Sequence, residues 1–143
     1  MTSVSRSALV SYSAEAMFDL VDDVESYDQF LPWCKDSRVV ERNDEHVKAT
    51  IVFARSGFEK AFTTSNRRQR GKMIEIRLVE GPFRRLEGFW RFQPLREDAS
   101  KVSLDLEFEF TNRLVAMAFG KVFTQVANTL VDAFVARARQ VYG

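Results

Sequence analysis

"LDLEFEFTNRLVAMAFGKVFTQVANTLVDAF", residues 104–134, changes its hydrophobic period part-way along, and that change decides the fold. Leu104, Leu106, Phe108 and Phe110 alternate with Asp105, Glu107 and Glu109. A period of two with one apolar and one acidic side is the pattern of a strand with one buried face. After Thr111 and Asn112 the spacing becomes helical. Val115, Phe119, Val122, Phe123, Val126, Ala127, Leu130, Ala133 and Phe134 fall on one stripe, opposite Lys121, Gln125, Asn128, Asp132 and Arg139. Leu114, Met117 and Val135 fall on or near the polar side. The spacing predicts a helix from 113 to about 141.

Upstream, residues 36–110 read as strands separated by turn chemistry at Asn43-Asp44-Glu45, Arg55-Ser56-Gly57, Arg70-Gly71-Lys72, Gly81-Pro82 and Pro94 to Ser100. Val47, Ala49, Ile51 and Phe53 share a face, as do Ile74, Ile76 and Leu78, and Leu86, Gly88, Trp90 and Phe92. Turns this short predict an antiparallel meander. "VSRSALV", 4–10, predicts a first strand. Ser13 is placed to cap a helix over about 14–22, with Glu15 in its first turn and Ala16, Met17, Leu20 and Val21 at helical spacing. "DVESYDQF", 23–30, adds a short helical turn.

The expected architecture is therefore α+β: a curved antiparallel sheet of six to seven strands wrapped around a long C-terminal helix, with two short helices after the first strand. At 143 residues it suits a single domain spanning 1–143. A sheet of this width exceeds the roughly 10–12 Å diameter of one helix. The fit should leave a void, and voids are costly unless filled. Thirteen Phe, three Tyr and two Trp, each burying roughly 150–250 Å², point to a large apolar interior or an apolar site.

The segment "SYDQFLPWCKD", 26–36, raises the question of an entrance. Pro32 disfavours both a helix interior and a central strand. Tyr27, Phe30, Leu31 and Trp33 nevertheless need cover, and they follow the first helix, where the mouth between sheet and long helix should lie. Tyr27, Arg85 and Asn112 are the polar groups expected near that mouth.

Bulk properties exclude several classes. A net charge of +1 gives no global attraction to nucleic acid or membrane, and no DNA partner is expected. Cys34 is the only cysteine, so neither an intramolecular disulfide nor a multi-cysteine metal site can form. It reads as a small buried hydrophobe. No run of about 18 apolar residues exists, so no membrane-spanning helix is expected. His46, the only histidine, sits beside Asn43, Asp44 and Glu45 and reads as a solvated turn residue. The acids 105, 107 and 109 should face water, no phosphate-binding glycine loop is present, and no metal or catalytic residue is assigned. Basic residues cluster locally: Arg67, Arg68, Arg70 and Lys72 in one hairpin, and Arg84 and Arg85 beside an exposed Phe83. They read first as solvated hairpin charges and second as contacts for phosphate of RNA or lipid headgroups.

The order of elements resembles the START-like helix-grip fold of the polyketide cyclase/dehydrase and lipid-transport superfamily. "DVESYDQFLPWC" (23–34), "EGPFRRLEGFWRF" (80–92) and the N-terminal "VSRSALVSYSAEAMFDLVDDVESY" resemble its coenzyme Q-binding and RatA-type ribosome-association toxin branch. The resemblance covers essentially the whole chain. Asp28 departs from it, standing where the family usually has Pro after the Tyr.

The resemblance implies non-enzymatic binding of a polyprenyl quinone such as ubiquinone, in support of respiratory electron transport. Its alternative implication is binding to the large ribosomal subunit, blocking subunit association and translation initiation. A cyclase is disfavoured because no acid or base projects clearly into the expected cavity. The expected ligand walls are Phe53, Phe62, Leu78, Trp90, Phe92, Phe108 and Phe110 on the sheet, and Phe119, Phe123, Val126, Leu130 and Phe134 on the helix. Phe30, Leu31 and Trp33 are the expected gate. Arg67, Arg68, Arg70, Lys72, Arg84 and Arg85 are the expected ribosome or headgroup contacts. No cofactor is required beyond a bound quinone or similar lipid. The expected location is cytoplasmic, with transient contact at the inner membrane surface.

Overall fold

The computed structural model describes residues 1–143. The chain runs β1 (Thr2–Val10), α1 (Ala14–Asp22), a 3-10 helix (Val24–Gln29), β2 (Cys34–Arg42), β3 (His46–Arg55), β4 (Phe58–Gln69), β5 (Met73–Glu80), β6 (Phe83–Arg96), β7 (Ala99–Phe110) and α2 (Arg113–Tyr142). This is the α+β helix-grip arrangement expected, with seven strands. Strands β2 to β7 follow one another as an antiparallel meander, and β1 pairs with β7 at the far edge.

Local chemistry sets the ends of both helices. The Ser13 side chain accepts from the Ala16 amide at 3.0 Å, and the Asn112 side chain accepts from the Val115 amide at 2.9 Å. Each satisfies a first-turn N–H that no helical carbonyl can reach. The Ser56-Gly57 turn between β3 and β4 runs through positive φ at both residues, which is cheap for glycine alone.

The sequence and structure differ at Pro94. The turn expected from Pro94 to Ser100 is shorter, because β6 continues to Arg96. Pro94 lies opposite Ser100, beside a register shift; a bulge tolerates a residue that cannot donate to the ladder. Asp28 is also informative. Its amide donates to the Ser37 hydroxyl at 3.2 Å, a bond that proline at this position could not make.

The concave face of the sheet carries the apolar parity of every strand, and α2 lies across it. Phe119, Phe123, Val126, Ala127, Val131, Phe134 and Ala138 are its buried residues. Leu114 and Met117 are exposed, as their position opposite the stripe implied. An 18-residue window of α2 has a mean hydropathy of 1.4. By length and composition alone this helix is apolar enough to cross a membrane, but its apolar stripe is held by the sheet, as in any core helix.

Two large apolar clusters fill the grip, beside a small third one of Val24, Val47 and Ala49. One joins Leu31, Trp33, Phe53, Phe62, Phe83, Phe108, Phe119 and Phe123. The other joins Met17, Phe18, Trp90, Phe92, Leu104, Val131 and Phe134 beneath α1. Phe83, expected to be exposed, is buried. Its ring lies 5.0 Å from Phe123 and 5.2 Å from Phe110. A register shift between Phe83 and Arg85 turns it inward, although Leu86, Gly88, Trp90 and Phe92 set the inward parity of β6 at the alternate positions.

Candidate ligand cavity and basic surfaces

Between the clusters, sheet and helix enclose a cavity of about 100 Å³. Fifteen of its 17 lining residues are hydrophobic. Val24 and Tyr27 of the 3-10 helix close one side with Trp33. Ala49, Ile51, Phe62, Ile76, Leu86, Trp90 and Leu106 line the sheet side. Phe123, Val126, Ala127, Leu130 and Phe134 line the helix side. Of the residues expected to form the ligand walls and gate, the cavity thus meets Trp33, Phe62, Trp90, Phe123, Val126, Leu130 and Phe134. Phe30, Leu31, Phe53, Leu78, Phe92, Phe108, Phe110 and Phe119 do not line it. Phe53, Phe108 and Phe119 are fully buried and fill the first cluster ring against ring, and Phe92 packs on Phe18 at 5.6 Å in the second. Phe30 packs on Tyr27 and Phe134, under the Arg137 guanidinium at 4.9 Å.

Two polar residues that sequence reasoning missed, Thr64 and Asn66, form the cavity's polar corner. The Thr64 hydroxyl donates to Asn66 Oδ1 at 3.0 Å. Both follow Phe62 at intervals of two on β4, so the alternation was the signal that could have found them. Of the polar groups expected at the mouth, Tyr27 lines the cavity and donates its hydroxyl to the Val21 carbonyl. Burial, followed by the charges of Asp22 and Asp23, pushes its phenol far above the ordinary range. Arg85 and Asn112 lie elsewhere: Arg85 bonds Glu87 at 3.0 Å on the outer face, and Asn112 caps α2.

Nothing lining the cavity titrates near neutrality, so the arrangement offers apolar contact and amide and hydroxyl hydrogen bonds, with no general acid or base. Cys34 is buried in the first cluster, and desolvation pushes its thiol up to about 11. Size limits the occupant. A cavity of roughly 150 Å³ holds one benzene, and drug-sized ligands occupy roughly 300–1,000 Å³. At about 100 Å³ the cavity is smaller than either, so a ring or isoprenoid unit would enter only with some movement of its walls.

The basic residues divide by strand parity. Arg67 faces outward and bonds Glu75 at 3.4 Å. With Lys72, Arg91 and Lys101 it lines a groove on the outer face, where the Arg91 guanidinium lies 5.3 Å from the Phe89 ring centre. Arg68 faces the other way. Its side chain is only 7% exposed and pairs with Asp22 at 3.2 Å, so it is not the solvated hairpin charge expected. Arg84 and Arg85 pair with Glu109 and Glu87 at 3.8 Å and 3.0 Å.

A curved antiparallel sheet gripping one long helix around an apolar cavity defines a START-like protein. The chain belongs to the polyketide cyclase / dehydrase and lipid transport family, whose profile matches residues 10–135. It is 50% identical over 143 residues to the ribosome association toxin RatA of Vibrio cholerae, covering 100% of this chain and 99% of that protein. It is 25% identical over 138 residues to the mitochondrial coenzyme Q-binding protein coq10 of Schizosaccharomyces pombe, covering 93% and 84%. The solution structure of an 18 kDa protein from Caulobacter crescentus superposes with a TM-score of 0.77 at 32% identity, covering 100% and 99%.

Proposed function

We propose that this chain is a non-enzymatic, RatA-type ribosome-association protein that binds the large ribosomal subunit. The observation that carries this reading is the 50% identity to a protein of that name over essentially the full length of both chains. The outer groove of Arg67, Lys72, Arg91 and Lys101 supports it. Several cations beside an aromatic ring suit an RNA backbone, whose phosphates supply attraction and whose bases stack on rings. The test is cosedimentation with isolated large subunits. Lys72→Glu combined with Arg91→Glu should abolish it at moderate salt and leave the fold intact. Unchanged cosedimentation would remove the groove from the interface.

The apolar cavity favours a second reading, binding of a quinone or similar lipid. The relative named as coenzyme Q-binding supports it, and the Thr64–Asn66 corner is suited to a carbonyl oxygen. The size of the cavity requires α2 and the sheet to part before a long isoprenoid tail could enter. Organic extraction of protein purified from its own organism, followed by mass spectrometry and quinone titration, tests this reading. Recovery of no lipid together with no quinone binding would dismiss it.

A further inference from the structure

We propose that the cleft between α1, the β2–β3 turn and the β4–β5 turn is a binding site for a phosphate group. It is lined by Asp22, Arg42, Asn43, Asp44, Arg68 and Arg70, with no hydrophobic residue among them. It is separate from the outer groove, because Arg67 and Arg68 of β4 point to opposite faces, and it shares no lining residue with the cavity.

Three guanidinium groups converge on this cleft, and one carboxylate holds two of them. Asp22 Oδ1 lies 3.2 Å from Arg68 Nε, and Asp22 Oδ2 lies 3.5 Å from Arg42 Nη1. Two cations sharing one carboxylate leave an excess positive charge, to which Arg70 adds and from which Asp44 subtracts. Asp19, outside the cleft, feels the charge of Arg70 as well.

Arg68 is the decisive residue. Its side chain is 7% exposed, yet its buried Nε–H meets no hydrogen-bond acceptor. Asp22 stands at ion-pair distance without the alignment of a hydrogen bond. Buried arginine donors left without acceptors are rare and costly. A planar guanidinium fork is also the geometry that takes two phosphate oxygens at once.

The backbone holds the cleft ready. The Arg68 amide donates to the Glu45 carbonyl at 2.7 Å, tying the β2–β3 turn to β4. Asn43 Oδ1 accepts from the Glu45 and His46 amides, both at 2.9 Å, which fixes that turn. The Arg68 guanidinium is steadied from behind by the Phe18 ring, 6.0 Å from its centre. A dianion entering here would meet fixed donors and would order little new structure.

The phosphate could belong to a small phosphomonoester or to an RNA backbone, and the experiment separates the two. The amide resonances of the full chain are followed during titration with inorganic phosphate, with a 5′-nucleotide, and with a short RNA oligonucleotide lacking terminal phosphates. Shifts at Asn43, Asp44, Arg68 and Arg70 are expected. If the oligonucleotide produces them, the source is an RNA phosphodiester; if only phosphate and nucleotide do, it is a phosphomonoester. Arg42→Gln and Arg70→Gln, both at the exposed rim, should each weaken binding about tenfold, the size of one lost charge-assisted hydrogen bond. Lys72→Gln and Arg91→Gln in the outer groove should not. Arg68→Lys, which keeps the charge and loses the fork, should weaken binding with the fold retained. Shifts confined to the outer groove, or no shift with any of the three ligands, would overturn the proposal. The inference is independent of the ribosome reading: cosedimentation can fail while this site binds phosphate, and the converse.

Discussion

The first turns of α2 and its middle face the same sheet and do opposite things. Toward its N-terminus the space is filled solidly: Phe119 lies 4.4 Å from Phe58, 4.9 Å from Phe53, 5.3 Å from Phe123 and 5.5 Å from Phe110. One turn past Phe123 the helix turns Val126, Ala127 and Leu130 toward Ala49, Ile51, Thr64 and Asn66, and about 100 Å³ stays open. The difference lies in side-chain volume at equivalent positions. Both stretches carry the same helical stripe and meet strands of the same parity. Rings across from rings close the gap between a curved sheet and a cylinder; Val126, Ala127 and Leu130 across from Ala49, Thr64 and Asn66 leave it open. Packed stretches on either side can hold the grip together while the open middle carries a ligand.

The sharpest way to break this contrast is to open the packed end. Phe119→Ala should cost about 3–5 kcal/mol, the usual range for a fully buried ring, and should appear as a large fall in the denaturation midpoint with an unchanged slope. A loss below about 1 kcal/mol would mean that this end relaxes easily and that the contrast is false.

The polar corner gives a smaller effect with a distinctive sign. Asn66→Leu alone strands the Thr64 hydroxyl and should cost about 1–3 kcal/mol. Adding Thr64→Val removes both partners of the 3.0 Å bond and should recover most of that loss, because replacing both partners by apolar groups is close to neutral. A double-mutant cycle on urea unfolding measures this. Equal, additive losses would mean that the two side chains act separately.

The faces of the elements were legible in the sequence, and positions along them were not. Period two in 104–110 and the stripe from Val115 to Phe134 fixed which side of β7 and α2 is buried, and the turn residues placed the hairpins. Periodicity carries no information on where along the helix axis a gap falls. Phe53, Phe92, Phe108 and Phe119 are on the predicted face yet lie in packed clusters away from the cavity. Thr64 and Asn66 were missed because polar residues on an inward parity break the apolar alternation that marks it. The same alternation separates Arg67 from Arg68, which composition groups as one basic hairpin. Phe83 looked exposed because two arginines follow it; its burial is decided by Phe62, Phe110 and Phe123, distant in sequence.

Filling the open middle should act in the opposite direction from emptying the packed end. Ala127→Leu adds a side chain where α2 borders the cavity and should raise stability by about 0.5–2 kcal/mol, as cavity-filling changes commonly do. The same variant should abolish binding of any ligand that uses the cavity while leaving ribosome cosedimentation unchanged. Thermal unfolding and ligand titration on one preparation give both readings. A destabilised Ala127→Leu would indicate that the space is not available to a side chain, and the open middle would then be no more permissive than the packed end.

The smallest expected effect concerns Cys34, a buried member of the packed cluster that follows the cavity-lining Trp33 in sequence. Its thiol is buried, hydrogen-bonded to the Asp36 carbonyl at 3.4 Å, and desolvation raises its pKa from 9.0 to about 11. The unfolded chain therefore releases this proton at lower pH than the folded chain does. Linkage then makes the contribution neutral below about pH 9 and progressively destabilising between the two values. Tyr27, raised further still by burial, adds to the same alkaline decline. Unfolding measured from pH 8 to 11 should show stability falling, and Cys34→Ala should make the fall shallower. Native protein at pH 8 should alkylate only as fast as it opens, because both burial and the raised pKa withhold the thiolate. Rapid alkylation with the fold intact would place Cys34, at the start of β2, in a region that opens locally.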